Sequence, residues 1–143
     1  MKPANENAAR PIRLVIVDND ASFLESAVHF LSHFVEVCIV GRAHSAVEAL
    51  ARLDDWRPEI VLMDLSMPGI GGLEATRRIK ARPHAPQVVV LTVFVEQEFR
   101  VLAQFAGADA LLAKEELVTT LVPALRRLRD SAKSVRSEST PSA

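Results

Sequence analysis

Four side chains in this sequence could together handle a cation and a phosphoryl group. Asp64 ends the apolar run Ile60-Val61-Leu62-Met63, and a turn follows at once in Met67-Pro68-Gly69. Asp18 follows Leu14-Val15-Ile16-Val17, Thr92 closes Val88-Val89-Val90-Leu91, and Lys114 follows Ala110-Leu111-Leu112-Ala113. A carboxylate at the end of a buried strand is costly unless it is used there. In open α/β sheets the carboxyl ends of the strands are where ligands bind. A carboxylate can attack phosphorus and hold it as an acyl phosphate, while a hydroxyl and an ammonium suit the charge that develops on the transferred group. Taken singly, each residue also has an ordinary role. Asp64 could cap the turn, Thr92 could be a β-branched strand residue, and Lys114 could be a surface lysine. Asp18 could cap the first helix, but Asp20 suits that position better because the periodic apolar residues begin at Phe23.

These positions require alternating strands and helices. The pattern predicts strands near 12–17, 35–41, 59–64, 87–92 and 109–112, and helices near 20–33, 44–54, 71–81, 97–106 and 119–130. Continuous Val, Ile and Leu strands suit a parallel sheet buried on both faces, and five β-α repeats suggest a doubly wound α/β sandwich with helices on both faces. Pro123 would break a helix running from Glu115, so the last helix is expected to start with Thr119 or Thr120 as its N-cap. Residues 1–11 are expected to be flexible and residues 131–143, rich in Ser, Thr and Pro, disordered; the domain proper is 12–130.

Bulk properties narrow the function. The chain has 143 residues, 49% hydrophobic and 24% charged, with a net charge of -1. That is the size and composition of one globular domain. A near-neutral chain gives no electrostatic case for direct nucleic-acid binding. No apolar run reaches membrane-spanning length, and Met1 to Pro11 lacks the apolar core of a secretory signal. The single cysteine, Cys38, lies in the apolar run Val35 to Val40 and is expected to be a buried small hydrophobe. The absence of a disulfide framework or zinc spacing fits a reducing cytoplasm. Gly69-Ile70-Gly71-Gly72 lacks the third glycine of a dinucleotide fingerprint and is expected to be a turn and helix start. His29 and His33 share a helix face, but near a helix end they are expected to be partly exposed.

The stretches Leu14 to Asp18, Val61 to Glu74, Leu91-Thr92 and Ala106 to Lys114 resemble the receiver domains of two-component response regulators. The resemblance covers roughly Arg13 to Asp130. Its most specific signal is Asp64-Leu65-Ser66-Met67-Pro68-Gly69, with a hydroxyl 28 positions on and a lysine 22 beyond that. It implies a flavodoxin-like strand order, 2-1-3-4-5, which periodicity alone does not give. In that order Asp18 and Asp64 share a cleft. Close carboxylates raise each other's pKa unless a cation lies between them, and Mg2+ prefers oxygen ligands and pairs with phosphate. The resemblance implies Asp64 as the phosphoacceptor, with Thr92 and Lys114 binding the transferred group. It implies Mg2+ held by Asp18, Asn19, Asp64 and the backbone carbonyl of Ser66. The implied phosphodonor is a sensor histidine kinase or a histidine phosphotransfer protein. The output would be a downstream protein or a homodimer through the fourth helix and fifth strand. Such a chain is a signalling phosphoacceptor rather than a metabolic enzyme.

Two departures from the family pattern stand out. Asn19 replaces the second of two acidic residues, which should weaken metal binding. Leu111 stands where the family usually has Tyr or Phe, which should weaken or reroute the coupling to Thr92. Asn19 also supports an alternative: a pseudo-receiver that binds proteins without phosphorylation. A further alternative is the input domain of a DNA-binding regulator cut short, although the initiator Met and the polar tail favour a single-domain chain. In the fourth helix, Phe99, Ala103 and Ala106 can form one packing stripe, leaving Val101 and Phe105 on a second face that could meet a partner.

Overall fold

The computed structural model describes residues 10–67, 71–93 and 96–138, the side chains of 133–138 excepted. Five strands form one sheet: β1 (Ile12–Val17), β2 (Val37–Ala43), β3 (Ile60–Asp64), β4 (Gln87–Thr92) and β5 (Ala110–Ala113). All neighbouring pairs are parallel, in the order β2-β1-β3-β4-β5. Helices α1 (Ala21–Leu31), α2 (Ala46–Trp56), α3 (Gly72–Lys80), α4 (Gln97–Ala106) and α5 (Leu117–Glu138) cover both faces, as expected.

The period of two in β1 divides the core. Ile12, Leu14 and Ile16 pack with Leu24, Ala27 and Leu31 of α1 and with Leu121, Val122 and Leu125 of α5. Val15 and Val17 pack on the other face with Ala46, Ala49 and Leu53 of α2 and with Ala75 and Ile79 of α3. Consecutive strand side chains point to opposite faces, so a strand with helices on both sides must be apolar throughout. That is the physical origin of the unbroken Val/Ile/Leu runs in the three central strands.

Several expectations need correction. Cys38 is exposed rather than buried. It lies on the edge strand β2, on the face that α2 covers only as far as Trp56, whose ring closes against Gly41; a Cβ on Gly41 would come within 2.3 Å of that ring. Cys38 lies beyond that point. The second strand and helix each begin two residues later than expected, and Val35 is 97% exposed. The last helix begins not at a threonine cap but at Leu117, after a 3-10 turn over Lys114–Glu116. The hydroxyls of Thr119 and Thr120 donate to the Glu116 carbonyl, at 3.1 and 2.9 Å. Burial of Leu117, Leu121 and Leu125 at a four-residue spacing decides the start. Pro123 is tolerated inside the helix on its exposed side, where Thr119, the residue whose carbonyl loses its donor, is exposed too. The helix continues to Glu138, past the expected end of the domain. The run Ser131 to Glu138 contains Ala, Lys, Arg and Glu, which are good helix formers; residues 139–143 lie outside the described residues. So do residues 1–9, Pro68, Gly69 and Ile70, with the turn expected there.

Candidate functional site

The site lies at the carboxyl ends of β1, β3, β4 and β5. Asp18 follows β1 directly, and its N–H donates to the Ala43 carbonyl at the end of β2, at 3.0 Å. Its side chain has no solvent exposure. Oδ1 accepts the Asp20 N–H at 2.9 Å. Oδ2 receives no aligned hydrogen bond, although the Lys114 ammonium stands 2.6 Å away. This contact is best described as an ion pair with poor hydrogen-bond alignment. Asp20 accepts from the N–H groups of Ser22 and Phe23 and so caps α1, as its position predicts, which keeps it out of the cleft. Asn19 is exposed.

Asp64 is the last residue of β3 and is almost fully buried. The next residue, Leu65, is tied to β4 by its N–H to the Leu91 carbonyl, at 2.8 Å. Lys114 Nζ stands 3.3 Å from Asp64 Oδ1. Burial, followed by the negative charge of Asp18, raises the Asp64 carboxyl above its ordinary pKa; Lys114 and the Ser66 N–H only partly offset this. For Lys114, burial acts to lower the ammonium's pKa, but the two carboxylates outweigh it and the net shift is upward. Ser66 itself is exposed. Thr92, fully buried, ends β4 in register with Ala113, the residue before Lys114.

Thus Asp18, Asp64 and Lys114 are in contact, and Thr92 closes the adjacent strand. Two contributors escaped the sequence reading. The first is Gly72, inside the first turn of α3, where a Cβ would come within 2.1 Å of the Asp64 carbonyl oxygen. Only a residue without a side chain lets the helix start this close to the acid. Gly71 beside it has open space, so the tandem glycines are not equivalent. The usable signal was a glycine at a position that helix propensity disfavours. The second is Phe23, whose ring centroid lies 4.3 Å from Lys114 Nζ. His29 and His33 stack edge to face on the exposed end of α1, and His33 Nδ1 lies 3.2 Å from the His29 carbonyl.

The donor set can be tested against Mg2+. Among the described residues no cluster of three or more His, Cys, Asp or Glu converges. Two buried carboxylates do converge, one with an oxygen lacking an aligned donor. An all-oxygen set of few protein ligands, with water completing the shell, is what Mg2+ accepts. The residues present fit that ion.

Known proteins resemble this arrangement. The family model for the response regulator receiver domain matches residues 14–126. Response regulator GacA of Pseudomonas viridiflava is 35% identical over 115 residues, which is 80% of this chain and 54% of that protein. Response regulator protein VraR of Staphylococcus aureus is 30% identical over 116 residues, or 81% of this chain and 56% of that one. The chain therefore spans about half the length of these relatives. Among solved structures, a LuxR-family two-component response regulator from Aurantimonas has a TM-score of 0.78 at 28% identity, covering 92% of this chain and 99% of that one.

Proposed function

The chain belongs to the response regulator receiver family, and on that premise we propose that Asp64 accepts a phosphoryl group from a phosphohistidine. The observation that carries this reading is the contact of Asp18, Asp64 and one lysine at the ends of three strands, with Lys114 Nζ 2.6 Å from Asp18 and 3.3 Å from Asp64. An Asp64 oxygen attacks phosphorus in line. The P–N bond of the donor imidazole breaks, and its electron pair stays on the imidazole nitrogen. Positioning and electrostatics do most of the work in such transfers. The Lys114 ammonium and Thr92 hydroxyl bind oxygens of the incoming group. Asp18, Asp64 and the Ser66 carbonyl, with Asn19 as a weaker neutral donor, would hold Mg2+. When bound, that ion supplies positive charge opposite the phosphoryl oxygens and the two carboxylates.

The phosphodonor would be a sensor histidine kinase or a histidine phosphotransfer protein in the cytoplasm. Among the described residues no helix is long and apolar enough to cross a membrane. The new charge on Asp64 would bias a two-state surface read by a partner. Helix α4 offers that surface: Ala103 and Ala106 are buried, whereas Val101 is 38% and Phe105 82% exposed. Exposed apolar side chains grouped on one face mark interaction sites. The chain would therefore act in signalling, through a downstream protein or a second copy bound at α4 and β5. Borohydride reduction of the phosphorylated chain, followed by peptide mapping, tests the acceptor. Conversion of residue 64 alone is expected; conversion of a different aspartate, or phosphoryl uptake with no aspartate converted, would overturn the assignment.

A further inference from the structure

Lys114 has more to hold it than its charge partners. An ammonium carries three N–H donors, and its four-carbon stem is flexible. Two of its contacts are the carboxylates of Asp18 and Asp64, and the third is the face of Phe23 at 4.3 Å. Phe23 is fixed from two directions. Its N–H donates to the Asp20 cap at 3.2 Å, and its ring packs, half-buried, against the core cluster of α1 and α5. The ring is thus a rigid floor, and its negative quadrupole face attracts a cation.

We propose that Phe23 is a positioning residue for phosphoryl transfer, holding the Lys114 ammonium in the cleft by a cation–π contact. This rests on the phosphoacceptor reading of Asp64. The two carboxylates hold Lys114 through the same oxygens that the reaction uses. Once Asp64 carries a phosphoryl group, the ammonium must turn from Asp18 towards the phosphoryl oxygens without leaving the cleft. A ring face attracts the ammonium without using any of those oxygens, so its hold persists in both states. A leucine at this position would pack on the same core but offer no such face.

The test uses the full chain with acetyl phosphate as donor and saturating Mg2+, in wild type, Phe23→Leu and Phe23→Tyr. Wild type is expected to incorporate phosphoryl about threefold to thirtyfold faster than Phe23→Leu, the span of a cation–π contact at partly to fully desolvated sites. Phe23→Tyr is expected to recover the wild-type rate. The chain has lysines only at positions 2, 80, 114 and 133, so lysine labelling gives a second readout by NMR. The ε-methylene signal of Lys114 should be ring-current shifted in wild type and Phe23→Tyr and unshifted in Phe23→Leu. Equal rates in wild type and Phe23→Leu would overturn the proposal. So would Phe23→Tyr proving as slow as Phe23→Leu, which would reduce the role to packing. A wild-type chain that takes up no phosphoryl group would overturn the Asp64 reading and this one with it, an outcome distinct from the other two.

Discussion

Asp64 is held in a state that its fold disfavours. Burial and the neighbouring Asp18 raise its pKa above the ordinary 3.8. A carboxyl whose folded pKa exceeds its unfolded one binds more protons when folded, so stability falls as pH rises from 3.8 through the raised folded value. Asp64→Asn removes that penalty. It should melt higher than wild type at neutral pH, and its advantage should vanish below the ordinary carboxylate range; an equal advantage at low pH would contradict the account. Lys114 has the opposite role. Its raised pKa means its stabilising contribution is fully present below 10.5 and is lost as pH rises through the higher folded value. Lys114→Met strands two buried carboxylates. Its cost should approach, but not reach, the about 3–5 kcal/mol of a fully buried broken pair, because the lysine side chain keeps 17% exposure. Denaturant unfolding measures it. At the neighbouring position, Asn19→Asp should tighten Mg2+ binding by adding a charge beside the ion. Unchanged affinity in a calorimetric titration would remove Asn19 from the metal argument.

Among the elements, α4 separates a surface from a core within a few residues. Phe105→Glu should change stability by no more than about 0.5 kcal/mol, as exposed substitutions do, while abolishing self-association or partner binding. Ala103→Glu, in the buried stripe, should unfold the domain. Equal melting-temperature losses in both would end the interface reading. Leu111 is half-buried on β5. Lacking an aromatic ring, it should show only small chemical-shift changes on phosphorylation. The elements also show what the sequence could convey. The Asp20 cap and the apolar runs of β1, β3 and β4 were legible because local chemistry and burial agree there. Cys38 was misplaced because an apolar run does not say which strand lies at the sheet edge or where its covering helix stops. The start of α5 was misplaced because Pro123 is a strong local signal, overridden by the packing of Leu117, Leu121 and Leu125.

At the scale of the whole molecule, the strand order makes the site. Asp18 and Asp64 lie 46 positions apart in sequence, but β1 and β3 are paired neighbours, so their end residues meet. Residue types pointed to the chemistry, and family resemblance supplied the order. The contact between Phe23 and Lys114 required α1 and β5 to be placed together, and no periodicity reports that. A cation between the two carboxylates relieves their repulsion only in the folded chain, so Mg2+ should stabilise the fold, by about 2.7 kcal/mol at a hundredfold excess over its dissociation constant. Thermal melts across a Mg2+ series check this, and a flat series would contradict a metal at the carboxylates. The most direct test of the central claim is the intact mass of the chain after incubation with acetyl phosphate and Mg2+. A gain of one phosphoryl mass in wild type, and none in Asp64→Ala, is predicted. No gain in wild type, or the same gain in Asp64→Ala, would contradict it.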